Sequence, residues 1–123
     1  MTAGLVGADG RARFPLRLLR PDGSSADIDA VFDSGYDGWL TLPPILAAEF
    51  GERLPPSTSL ELADGTQRIV GTFRVIAALE GELLEIDVLE LPGEPLAGVQ
   101  LLAGCRVTMD LVPGGPVAIR RLP

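Results

Sequence analysis

Asp33, Ser34 and Gly35 are the residues whose types and spacing best suit chemistry. They follow an alternating run, Ala26-Asp27-Ile28-Asp29-Ala30-Val31-Phe32, and precede Tyr36-Asp37-Gly38-Trp39-Leu40-Thr41-Leu42-Pro43. A carboxylate at the end of a strand with one apolar face, then a small hydroxyl residue, then glycine, presents an acid at a tight turn. The same triplet also builds ordinary turns, where Asp and Ser satisfy backbone groups and Gly accepts positive φ. Its neighbours raise its standing: a short apolar strand and a helix follow at once, and a second apolar-apolar-Gly element, Leu96-Ala97-Gly98, comes late in the chain. One triplet supplies one carboxylate. The chemistry it suggests needs two, so the triplet also raises a question about oligomeric state.

The rest of the composition removes rival chemistries. Histidine is absent, which excludes Ser-His-Asp and Cys-His catalysis and imidazole zinc sites. The single cysteine, Cys105, permits neither an intrachain disulfide nor a thiolate zinc site, and its apolar surroundings mark it as a small core residue. Asp27, Asp29, Asp33 and Asp37 are close in sequence but lack the Gly and terminal Glu of a calcium loop, so a solvated strand face plus a turn is the expectation. No metal and no cofactor is expected. The net charge of −7, without a basic stripe, argues against a nucleic-acid partner. No apolar stretch approaches the ~18 residues of a membrane span. Met1-Thr2-Ala3-Gly4 lacks the features of a secretory signal, so a cytoplasmic location is expected.

The elements that must position Asp33 are short and mostly strands. The 123 residues suit one domain, 1–123, and 15 Gly with 11 Pro spread along the chain imply many turns. Asp9-Gly10, Asp22-Gly23 and Asp64-Gly65 are hairpin or turn signals between apolar runs. Pro15 predicts an edge position for part of the second strand. Pro43-Pro44 to Phe50, with Gly51 beyond, is the best helix. Leu54-Pro55-Pro56-Ser57 predicts a loop, Val99–Ala103 a helical turn, and Arg106–Val112 a strand. Trp39 reads as a core or interface anchor, and Tyr36 as a pocket or turn residue beside the acid. About eight strands and one or two short helices make a closed or sandwich-like β domain the natural solution.

The ordered motifs resemble the retropepsin-like aspartic proteases, and more closely the small prokaryotic single-domain members of that clan. The resemblance is carried by Val31-Phe32-Asp33-Ser34-Gly35, Gly38-Trp39-Leu40-Thr41-Leu42-Pro43, the helix from Pro44, the Leu62-Ala63-Asp64-Gly65 hairpin, and Leu101-Leu102-Ala103-Gly104-Cys105-Arg106-Val107-Thr108-Met109-Asp110-Leu111-Val112-Pro113-Gly114-Gly115. It spans about Ala26 to the C-terminus. One departure is Gln100, where members commonly carry Asp.

The resemblance implies a mostly β fold, a closed acid-protease-like barrel with one or two short helices. It implies a homodimeric aspartic endopeptidase in which Asp33 of each chain contributes one catalytic carboxylate, with the termini in the dimer sheet. Ser34 and Gly35 would support the catalytic loop, Gly35 through close backbone approach. Ala63, Asp64, Gly65 and Thr66 would form a flap over the peptide, with Tyr36 lining the substrate site and Leu96-Ala97-Gly98 as the second apolar-Gly element. Its partners would be a second copy and a peptide or protein substrate. The competing class is a non-catalytic β-rich peptide-binding or dimerisation module with the same fold, and a weaker third is a metal-dependent hydrolase using the acidic cluster.

Overall fold

The structure, a computed structural model, describes residues 1–61 and 63–123, with the side chains of residues 56–60 outside that description. Leu62 of the hairpin motif therefore lies outside the described residues. Ten strands share one sheet: β1 (Thr2–Val6), β2 (Ala12–Leu19), β3 (Ser25–Phe32), β4 (Leu40–Leu42), β5 (Glu52–Glu61), β6 (Gln67–Leu79), β7 (Glu82–Glu90), β8 (Leu96–Ala97), β9 (Cys105–Met109) and β10 (Pro116–Arg121). One helix, α1 (Pro44–Phe50), is inserted after β4. The class is mostly β, as the sequence implies.

Alternation decides which side of each strand faces the core. In β2, Ala12, Phe14, Leu16 and Leu18 are buried while Pro15 and Arg17 are exposed. In β6 and β7, Val75, Ala77, Leu79, Ile86 and Val88 point inward, and Arg74, Glu85 and Asp87 point out. Outward charges are matched across the ladder. Arg17 sits opposite Asp27 at 3.0 Å, and Arg74 opposite Asp87 at 3.2 Å. Exposed pairs of this kind contribute about 0–1 kcal/mol each and mainly fix register.

The sheet order is β5-β6-β7-β4-β8-β3-β2-β1-β10-β9, and β2 also pairs with β6 through Arg17–Leu19 against Ile76–Ala78. That pairing joins the ends of β6-β7-β4-β8-β3-β2, so six strands follow one another round a ring. Inside it lie Leu16, Leu18, Leu40, Leu42, Ile86, Val88, Ala97, Leu101 and Ile119. Outside the ring, β1, β10 and β9 continue the sheet from β2, and the β5–β6 hairpin projects from the other side.

Four local expectations are corrected. β2 is an interior strand. Pro15 falls between the stretch paired with β1 (Ala12, Arg13) and the stretch paired with β6 (Arg17–Leu19), so edge character is confined to the proline itself. The expected loop at Leu54–Ser57 is part of β5, which absorbs its prolines in a register shift between Leu54 and Thr58. Val99–Ala103 forms turns rather than a helical turn, and β9 ends at Met109, not Val112. Helix α1 conforms, with Pro44 in its first turn and the Gly51 N–H donating to Ala47 O at 2.9 Å.

The buried ring makes an expected contrast. Leu40→Ala, at 0% exposure, should lower unfolding free energy by about 2–5 kcal/mol. Leu83→Ala, at 68% exposure, should change it by about 0.5 kcal/mol or less. Urea titration at matched protein concentration measures both, and equal losses would contradict this assignment of the core.

Candidate active site

Asp33 follows the last residue of β3, and its place is set by β8. The Val31 N–H donates to Pro95 O and the Asp33 N–H to Ala97 O, each at 2.9 Å. β3 thus runs parallel to β8, with Val31 opposite Leu96 and Phe32 opposite Ala97. β4 returns antiparallel on the other side of β8, with Leu40 opposite Ala97. A two-residue strand from late in the chain is therefore threaded between two strands that are neighbours in sequence. The buried Thr41 hydroxyl accepts the Leu96 N–H at 3.1 Å, which satisfies both groups.

The loop between β3 and β4 is tied down in the same way. Gly98, Val99 and Gln100 donate their N–H groups to the carbonyls of Trp39 (2.9 Å), Tyr36 (3.0 Å) and Gly38 (3.1 Å). The Tyr36 N–H donates to Asp33 O at 3.1 Å. Gly98 is buried, and a Cβ on it would run into the Gly38 carbonyl oxygen and come within 2.7 Å of the Tyr36 ring. Leu96-Ala97-Gly98, which the sequence singles out, lies directly against the acid's loop. Upstream, Arg13 braces the approach to β8. It holds Asp9 at 2.9 Å, Asp29 at 3.4 Å and Glu94 at 2.8 Å, while Arg11 holds Glu94 at 3.1 Å.

Asp33 is half-buried, and its Oδ1 accepts the Gly35 N–H at 2.9 Å. Among the described residues no donor reaches Oδ2. Ser34 and Gly35 are exposed. The Ser34 hydroxyl has no partner among the described residues. A Cβ on Gly35 would meet only Asp33 Oδ1, at 3.3 Å. Among the described residues of one chain, then, nothing crowds Gly35 and no side chain or backbone group bonds to the Ser34 hydroxyl. The acidic cluster does not assemble: Asp27 and Asp29 face arginines, and among the described residues no three acidic, Cys or His side chains are placed to hold a metal.

Beside the loop is a cleft of about 270 Å³. Tyr36, Asp37, Gly38 and Trp39 line it from the loop, and Thr72, Asp87 and Leu89 from β6 and β7. Burial, and then the Asp37 charge, push the Tyr36 phenol up to about 12, so it stays neutral through the physiological range. Sequence reasoning missed the far wall of this cleft, because strands remote in sequence supply it. It also missed the Thr41 bond, although a lone Thr in an apolar strand is a signal for a buried partner.

The hairpin expected to act as a flap is the β5–β6 connection. Ala63, Asp64, Gly65 and Thr66 are exposed at its tip, and Gly65 takes φ 85°. Asp64 Oδ1 accepts the Thr66 hydroxyl at 2.7 Å and the Thr66 N–H at 3.0 Å. Those two bonds hold the Asp64 carboxyl below its ordinary value of 3.8. In the single chain no described hydrogen bond joins this tip to the Asp33 loop.

Comparison with known proteins bears on the fold. The solved structure of a retropepsin-like aspartic protease from Rickettsia conorii superposes with a TM-score of 0.55 at 12% sequence identity, covering 96% of this chain and 89% of that one. The fold is retropepsin-like. No protein-family model and no curated protein matches the chain. In the retropepsin-like frame, Asp33 leaves a strand threaded against β8, and the Ala63–Thr66 tip stands at the end of a projecting hairpin.

Two outcomes follow from this geometry. Gly98→Ala should destabilise the chain by about 1–3 kcal/mol or prevent folding, because the new methyl must displace the Gly38 carbonyl; a neutral effect on the urea midpoint would contradict the threaded arrangement. The Asp64 turn, whose folded pKa is depressed, is retained above the ordinary aspartate value and lost only as pH falls through the lower folded value. The Thr66 amide NMR shift should therefore titrate with a midpoint below 3.8.

Proposed function

We propose that the chain is a homodimeric aspartic endopeptidase, with one Asp33 from each subunit forming the catalytic pair. The observation that carries this reading is the placement of Asp33. It stands at the end of a strand locked to β8, with one free carboxylate oxygen, on a retropepsin-like fold. The sequence holds no second Asp-Ser-Gly or Asp-Thr-Gly, so one chain supplies half a site. The exposed Ser34 hydroxyl and the open face of Gly35 suit contact with a second loop of the same kind.

Two carboxylates about 3 Å apart share a proton, because both cannot ionise without strong repulsion. The ionised Asp33 takes a proton from water as its oxygen attacks the scissile carbonyl carbon. The protonated partner gives its proton to the carbonyl oxygen, which becomes the second hydroxyl of a tetrahedral diol. The carbon–nitrogen bond then breaks: the carboxyl that took the water proton gives it to the amine nitrogen, and the diol collapses to a carboxylic acid as one hydroxyl proton returns to the other carboxylate. No covalent enzyme intermediate and no cofactor enters. The two titrations belong to the pair, not to either residue. The Ala63–Thr66 hairpin tip covers an extended peptide and keeps bulk water from the intermediate.

The test is cleavage of a peptide library between mildly acidic and neutral pH, together with sedimentation. Asp33→Asn should reduce turnover by about 10²–10⁴-fold without unfolding the chain. Turnover that survives Asp33→Asn would remove the mechanism, and self-association weaker than about millimolar would remove the paired site. Peptide binding with no turnover in the wild type would leave the chain a binding module.

A further inference from the structure

We propose that the cleft on the loop that follows Asp33 is a selectivity pocket for a cationic side chain, arginine or lysine, of the bound peptide, with Asp37 as its counter-charge and Tyr36 and Trp39 as its apolar walls. The proposal rests on the protease reading for its cleavage arm alone; its binding arm is independent of turnover.

The cleft's size selects the occupant. At about 270 Å³ it falls below the roughly 300–1,000 Å³ of small-molecule sites and suits one side chain of a longer ligand. Its charge selects the chemistry. Seven of the ten arginines, residues 11, 13, 17, 20, 53, 74 and 121, are held in ion pairs, and lysine is absent. Asp37 has no cationic partner and no hydrogen-bond donor among the described residues. On the opposite wall, Asp87 is already matched by Arg74 at 3.2 Å. The Asp37 charge reaches the wall of the cleft, since it is the second cause of the raised Tyr36 pKa after burial.

Two larger concavities make a useful contrast. One, of about 470 Å³, contains Asp29, and the other, of about 340 Å³, contains Asp27 and Glu80. All three carboxylates there are neutralised, by Arg13, Arg17 and the N-terminal ammonium. The cleft on the Asp33 loop combines two aromatic side chains with a carboxylate that no described arginine meets, whereas the smaller concavity holding Phe50 and Glu52 is also lined by Arg20 and Arg74. An arginine or lysine occupant lays its methylene stem along the rings and brings its head to Asp37, gaining cation–π attraction and a charge-assisted hydrogen bond.

The binding arm uses Asp33→Asn protein and the fluorescence of Trp39, the sole tryptophan, which lines the cleft. Extended peptides that differ only by Arg, norleucine or Glu, scanned position by position, are titrated against it. At one position the Arg peptide should bind about tenfold tighter than the norleucine peptide, the scale of one charge-assisted contact. Adding Asp37→Asn should bring that ratio close to one, Asp37→Glu should preserve it, and Asp37→Lys should favour the Glu peptide. The Asp37→Glu arm keeps the result decisive if Asp37→Asn fails to fold. Equal binding of Arg and norleucine peptides, a ratio insensitive to Asp37, or no titration with any peptide would overturn the proposal. The cleavage arm repeats the comparison with the wild type. Cation-selective binding without cleavage would overturn the protease reading and leave the pocket; cleavage without cation selectivity would do the reverse.

Discussion

The structure depends on the insertion of β8 between β3 and β4. Two residues, Leu96 and Ala97, bridge strands that would otherwise end as unpaired edges, and they complete the ring of six strands around the core. The same insertion fixes the backbone of Asp33 through Ala97 and that of the following loop through Gly98, Val99 and Gln100. Because the strand is so short, it has little affinity of its own. It is held by bonds on both sides, by the Thr41 hydroxyl, and by a glycine that admits the Gly38 carbonyl where any side chain would exclude it. A backbone shift at Ala97 or Gly98 is therefore passed to Asp33 and the loop that follows it.

Electrostatics divides the acidic side chains into two groups. Most carboxylates that line strands or turns are matched by an arginine across the ladder or by local donors. Arg13 gathers Asp9, Asp29 and Glu94 and so braces the segment leading into β8. Such exposed pairs add little stability individually, and their value lies in register and in relieving repulsion within a chain of net charge −7. Among the described residues no cation reaches Asp33 or Asp37, four residues apart on one loop, nor Glu52, Glu61 or Asp110; Asp33 accepts the Gly35 N–H, and Asp37 borders the cleft.

Much of this was legible in the sequence. The Asp-Gly turns, the alternation in β2, β3, β6 and β7, and the Pro44–Phe50 helix follow from local rules that need no tertiary knowledge. The pairing of Asp33-Ser34-Gly35 with Leu96-Ala97-Gly98 was visible as two motifs, although no local rule says that one lies against the other. The failures have physical causes. Pro15 is a local signal in a strand whose other neighbours come from far along the chain. Pro55 and Pro56 predicted a loop because a bulge that accommodates proline is specified by the partner strand β6. The strand count fell short because β8 is too short to show a period.

The sequence by itself determined the inventory of chemistry: no histidine, one cysteine, and a single acid-Ser-Gly triplet, which together leave acid–base chemistry mainly to carboxylates. It also determined the local elements, since periodicity and turn residues act over a few positions. Tertiary structure alone decided which β8 carbonyl receives the Asp33 N–H and which carboxylates meet an arginine. It also decided that Tyr36 and Trp39 face Thr72 and Leu89 across a cleft. Those outcomes depend on contacts between residues tens of positions apart, where burial and hydrogen-bond satisfaction of the whole ring, not the preference of any segment, select the arrangement.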